Sequence, residues 1–190
     1  MKISPYKSTD KDLWDQFVEG SKNGTFLFLR DYMDYHKDRF SDSSLLIRNA
    51  KNIPIALFPA NYVESEKLVV SHGGLTYGSL LLSYEATAMD IGKMWEEIRR
   101  YYKHLGADLL HLKTIPYIYH NYPCEEELYW LFRFGAKLLS RGLSSVVDLR
   151  NPLSFSKLRK RKVKMAQQSS LELMLNAPLS YYSEFWTILE

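Results

Sequence analysis

His72 and His120 are the side chains best suited to moving a proton near neutral pH, because an imidazole titrates there. His72 stands in Ser71-His72-Gly73-Gly74-Leu75-Thr76-Tyr77-Gly78-Ser79-Leu80. Its three glycines permit positive φ and leave room for a ligand or another chain segment, with His72 and Tyr77 at the rim. An ordinary glycine turn between strands is the competing reading. His120 follows Tyr117 and Tyr119 in a proline-flanked aromatic loop, where it is either a base or a histidine bonded to backbone. Lys113 ends a strand that leads into that loop, and so suits an anionic acceptor such as a carboxylate or a nucleotide-sugar phosphate. A solvated strand end competes with that role. His36 is a weaker third candidate base, and His111, inside an alternating strand, reads as a packing residue. Cys124 has no activating neighbour in sequence and reads as a packed thiol. Glu125, Glu126 and Glu127 read as acids that complement a helix N-terminus.

The elements that must position these residues follow from periodicity and punctuation. A short strand is expected over residues 3–6. A helix follows, carrying Leu13, Trp14, Phe17 and Val18 at helical spacing and stopped by Asn23-Gly24. A second helical stretch spans 29–40, with Tyr32, Tyr35, His36 and Phe40 along one face. Residues 44–48 and 53–62 read as strands joined by a turn at Ala50-Lys51-Asn52, and Pro54 and Pro59 call for an edge position or a bulge. Residues 84–105 form a helix with Met89, Met94, Ile98, Tyr101 and Leu105 apolar and Gly106 as its stop. A strand at 108–114, an aromatic loop at 115–123, a helix at 124–139 and a strand at 144–148 complete an α/β alternation around a mixed sheet.

Bulk composition narrows the function classes. The chain of 190 residues is 46% hydrophobic and 25% charged, the profile of a folded globular protein rather than a disordered one. Its 14 tyrosines suit grooves that take polar, sugar-like or peptide ligands, or are surface filler. A net charge of +3 is too small to mark the whole chain as a nucleic-acid protein. No apolar run reaches the roughly 20 residues of a membrane span, and the N-terminus lacks a signal-peptide core. The single cysteine permits no internal disulfide and no multi-cysteine zinc site, so a reducing cytoplasm is the expected compartment and no metal is expected.

Arg150-Asn151-Pro152 reads as a boundary between residues 1–150 and 151–190. Beyond it a basic helix over 155–168 carries Lys157, Arg159, Lys160, Arg161, Lys162 and Lys164, followed by a strand at 170–175 and a helix at 179–189. Some 40 residues cannot bury a full core alone, so this part is expected to open a second domain that the chain truncates. The basic cluster would neutralise phosphates of an RNA or of a nucleotide-linked substrate, or form a solvated face.

Four segments together resemble the FemAB-like branch of the GNAT superfamily of N-acyltransferases: residues 23–40, 71–80, 113–123 and 158–166. The resemblance implies a GNAT-like α/β fold in residues 1–150 and the basic helix that opens a second GNAT-like domain, with an acceptor held between the two. The branch's Phe-Leu-Gln-Ser-x-x-Trp pattern is here Phe26-Leu27-Phe28-Leu29-Arg30-Asp31-Tyr32, and its following basic residue falls at His36, with Lys37 adjacent. A Gln/Arg-x-x-Gly-x-Gly/Ala turn, which cradles the acyl-CoA pyrophosphate in GNAT folds, is not found in these residues.

The implied activity is N-acyl transfer from acyl-CoA (acetyl-CoA) to an amine of an envelope sugar or peptide precursor. His36, Lys37, Tyr77, Lys113 and Tyr119 would contact the acceptor, His72 or His120 would remove its proton, and Arg159 and Arg161 would meet phosphate. Two other readings stay open: a GNAT-shaped binding module that catalyses nothing, and a transferase that uses aminoacyl-tRNA.

Overall fold

The computed structural model describes residues 1–189, and of His36 the backbone only. Contacts divide the chain into two units, Met1–Leu139 and Ser140–Glu190.

The first unit is built on two sheets. Strands β1 (Lys2–Pro5), β2 (Leu45–Arg48), β3 (Pro54–Phe58) and β6 (Leu81–Leu82) form a four-stranded antiparallel sheet in the order β1-β2-β3-β6. Strands β4 (Asn61–Val63), β5 (Leu68–Val70) and β7 (Leu109–His111) form the second sheet; β4 runs antiparallel to β5, and β5 parallel to β7. The return from β5 to β7 passes through the glycine segment, β6 and the long helix α3 (Ala88–His104).

Three short apolar runs are continuous rather than alternating, as strands covered on both faces require. Leu45, Ile47, Ala56, Phe58, Leu80 and Leu82 face one core with Ile91, Met94, Trp95 and Ile98 of α3. Leu46, Leu57 and Leu81 face the opposite core with Trp14 and Val18 of α1 (Lys11–Glu19) and with Phe28. The four-stranded sheet is thus the middle layer between two apolar layers. Helix α4 (Glu126–Arg133) packs on α3, where the Trp130 indole N–H donates to the Ala88 carbonyl at 2.6 Å.

Several expectations are corrected. The run 53–62 splits between two sheets, and β3 lies inside its sheet. Of the edge or bulge that the prolines call for, Pro54 has the second: it begins the strand opposite a register shift at Ile47/Arg48. Helix α1 ends at Gly20, ahead of Asn23-Gly24. The stretch 29–40 is one short helix, α2 (Arg30–Met33), followed by a single 3-10 turn. Met89 is exposed, and so is His111, which is not a packing residue. Gly106 does close α3, at φ +96°.

In the second unit, α5 (Lys157–Gln167) and α6 (Ser180–Leu189) form, but residues 144–148 and 170–175 are not strands. No described helix is long and apolar enough to cross a membrane.

Candidate functional site

In an open α/β sheet, ligands bind outside the carboxyl ends of parallel strands. The parallel pair here is β5 and β7, and their carboxyl ends lead straight into Ser71-His72 and Leu112-Lys113. The junction is hydrogen-bonded throughout. Ser71 N donates to the His111 carbonyl at 2.9 Å, Lys113 N to Ser71 Oγ at 2.9 Å, and Gly78 N to the Lys113 carbonyl at 2.6 Å.

That packing explains the glycines. A Cβ on Gly78 would lie 2.2 Å from the Ser71 carbonyl oxygen, and one on Gly73 or Gly74 would lie 2.7 Å from the Phe40 ring. The space they leave is filled by the chain itself, namely the Ser71 backbone and the Phe40 side chain. Of the two occupants the sequence allows, a ligand or another chain segment, the structure has the second. His72 is buried at a left-handed φ of 59°, an uncommon conformation for a non-glycine residue, with its ring 5.5 Å from that of Phe40.

Tyr77 and Tyr119 come together. Their rings stack at 5.2 Å with an interplanar angle of 21°, Tyr77 buried beneath and Tyr119 half exposed above. The Tyr77 hydroxyl reaches Thr25 Oγ1 at 3.4 Å, and Phe28 backs its ring at 6.0 Å. The Lys113 ammonium donates to the Leu75 carbonyl, and burial pulls its pKa below the ordinary lysine value. It is therefore a half-buried cation under the glycine loop, not a solvated strand end.

His120 sits beside Tyr119, with Nδ1 3.5 Å from Cys124 Sγ. Burial lowers its pKa, against upward pulls from the Ile115 backbone, Glu125 and Glu126, so the ring is neutral at pH 7. Cys124 has a histidine neighbour after all, but burial pushes its thiol up to about 11, so it stays a thiol rather than a nucleophile. Lys37 is exposed just before Phe40, the ring that carries this segment to the glycine loop. The side chain of His36 lies outside the described residues. Arg159 and Arg161 are exposed on α5 of the second unit.

Three polar residues hold this region in shape in ways that the sequence readings of Glu127 as a helix-start acid and Asn23 as a helix stop did not anticipate. Glu127, the third of the acidic run, is in the first turn of α4 but turns inward. It accepts from the Ser79 hydroxyl and, at 3.3 Å, from Leu80 N. Burial raises its carboxyl to about 7, while the Ser79, Leu80 and Trp95 contacts pull it down. Asn23 acts as a substitute strand partner, its Nδ2 donating to the Leu80 carbonyl at 2.8 Å and its Oδ1 accepting from Leu82 N at 3.0 Å. Lys22 is buried, with Nζ on the Ala86 carbonyl at 3.0 Å, while its own carbonyl accepts from Asn121 N and Tyr122 N. The one sequence signal for Asn23 and Lys22 is their place just before Gly24, whose Cβ would lie 2.0 Å from the Val18 carbonyl oxygen.

A phosphate cradle does not fit the helix starts of this unit. At α3 the Asp90 amide is taken by Thr87 Oγ1, and Asp90 brings negative charge. Helix α1 opens with Asp12, and α4 with Glu126 and Glu127. A groove of about 460 Å³ lies at the other end of β7, among Arg99, Arg100, Lys103 and Asp108, away from the candidate residues along that strand. Among the described residues no cluster of three His, Cys, Asp or Glu is placed to hold a metal ion.

No family model matches this chain, and neither does any curated protein. Among solved structures, a tetramutant of the BH1408 protein from Bacillus halodurans is similar over 77% of this chain and 100% of its own, with a TM-score of 0.51 and 14% identity. A point mutant of the same protein gives a TM-score of 0.48 at 13% identity, over 77% and 99% of the two chains. At this identity the first likeness speaks for the α/β fold alone.

Proposed function

We propose that the protein takes part in GNAT-type N-acyl transfer from an acyl-CoA to the amine of an envelope sugar or peptide precursor, with Met1–Leu139 as the body that holds the acceptor. The observation that carries this reading is the grouping of Tyr77, Lys113, Tyr119 and His120 outside the carboxyl ends of β5 and β7. Tyr119 offers an exposed aromatic face to a sugar ring or peptide side chain, backed by Tyr77. Lys113 supplies positive charge beneath the loop. His120, neutral at pH 7, takes the proton that an acceptor ammonium must lose before it is nucleophilic. His72, buried against Phe40, is the poorer base. The acidic first turns of α1, α3 and α4 disfavour a phosphate there, which supports an acceptor role for this unit.

A second reading, a binding module without catalysis, is favoured by one observation: the Lys113 ammonium and the glycine loop already satisfy one another.

Calorimetric titration of amino sugars and lysine-bearing peptides into the chain tests the assignment, with acetyl-CoA titrated separately. Saturable acceptor binding is expected, weakened about tenfold by Tyr119→Ala through loss of one stacking face. Acceptor binding without thiol release from acetyl-CoA, even when both are present, would favour the binding module. Tight acetyl-CoA binding by Met1–Leu139, or no acceptor binding at all, would overturn the division of labour.

A further inference from the structure

The two helices of the second unit carry chemistry that acceptor holding does not use. Helix α5 bears Lys157, Arg159, Lys160, Arg161, Lys162 and Lys164, and no acidic residue occurs between Asp148 and Glu172. At 100° per residue, Lys157, Lys160, Arg161 and Lys164 share one face, while Leu158 and Met165 lie on another. All are exposed, and among the described residues no ion pair reaches any of the six cations. Helix α6 places Ser180, Ser183, Glu184 and Thr187 at positions i, i+3, i+4 and i+7, one polar stripe. The rest of its surface is Tyr181, Tyr182, Phe185, Trp186, Ile188 and Leu189, every one exposed.

We propose that Ser140–Glu190 binds the surface of an anionic lipid bilayer. The cationic face of α5 would meet headgroup phosphates, and the aromatic face of α6 would settle at the headgroup level. Charge complementarity selects the partner: a run of six cations unbroken by an acid fits a polyanionic surface, and a helix-borne cluster of this size reads acidic lipids. The aromatic composition selects it further, because tyrosine and tryptophan prefer the membrane–water interface. With its polar stripe toward water and its aromatic face toward the lipid, α6 would lie along the bilayer surface. Single-stranded RNA is the competing polyanion. It would want aromatics interleaved with the cations for base stacking, and here the rings stand on a separate helix.

Co-sedimentation of the full chain with vesicles tests this. One set is phosphatidylcholine alone, and a second carries phosphatidylglycerol as well. Binding to the anionic set is expected to be tighter by about tenfold or more and to fall steeply with salt. The triple reversal K160E/R161E/K164E should remove that preference. Trp186→Ser should weaken binding several-fold while leaving its salt dependence unchanged. Equal affinity for the two vesicle sets, no binding to either, or displacement from anionic vesicles by equimolar RNA would each overturn the proposal. The comparison of the two vesicle sets needs no variant, so a misfolded substitution does not blunt the test.

Discussion

Burial holds the Glu127 carboxyl at about 7 in the folded chain, against an ordinary value of 4.5. In the unfolded chain it ionises near 4.5, so between that pH and about 7 unfolding releases a proton. The stability this side chain contributes is therefore complete below pH 4.5 and is lost as pH rises through about 7, a change of up to about 3 kcal/mol. Glu127→Gln keeps a polar partner for Ser79 without the charge. It is expected to be more stable than the natural chain at pH 8 and no more stable at pH 4.5, as read by urea unfolding at the two values. Equal pH dependence in the two proteins would count against a buried neutral carboxyl. Gly78 makes a second prediction at this scale. Alanine there would drive Cβ into the Ser71 carbonyl at 2.2 Å and cost about 3 kcal/mol or more, whereas Gly142→Ala meets nothing within 4 Å. Thermal melts of the two variants decide it.

Helix α3 and strands β2 and β3 were legible because each carries a strong local signal, either an apolar face at helical spacing or a short unbroken apolar run. Residues 144–148 and 170–175 carried similar apolar runs and still form no strand. A strand exists only where another backbone takes its hydrogen bonds, and no described strand lies in their unit to do so. The segment 29–40 read as one helix because its aromatics recur at about the right interval, but it is α-helical only from Arg30 to Met33 and goes on as a 3-10 turn. The Arg30 guanidinium at the start of that helix is fully buried, bonded to Asp42 at 2.7 Å and stacked over Tyr6 and Trp14 at 3.3 and 4.1 Å. Arg30→Lys would lose the Nη1 bond to Asp42 and the stacking over Tyr6 and Trp14, and a loss of roughly 3 kcal/mol is expected from chemical denaturation. A cost near zero would mean that the buried charge does not anchor α1 to this segment. Gly92 plays the matching part between α3 and α4, since a Cβ there would lie 2.5 Å from the Trp130 ring. Gly92→Ala is expected to cost about 2 kcal/mol by the same measurement.

Across the whole molecule, charge is unevenly shared. The first unit places acids at the starts of α1, α3 and α4, while the longest run of cations belongs to α5. The modest net charge of +3 hides this, because it sums over both units. The candidate site was legible in its glycine segment, its aromatic loop and Lys113, since glycine, proline and tyrosine clusters mark loops by type. Glu127, Asn23 and Phe40 were not, because their roles come from contacts with segments dozens of residues away. The proposed function puts an amine-bearing acceptor against Tyr119 at the carboxyl ends of β5 and β7. Heteronuclear NMR of the chain, titrated with an amino sugar or a lysine-bearing peptide, reads this residue by residue. Chemical-shift changes are expected to concentrate in residues 71–80 and 113–123 and to be lost in Tyr119→Ala. Changes centred instead on the groove of Arg99, Arg100 and Lys103, or none at all at saturating ligand, would contradict it.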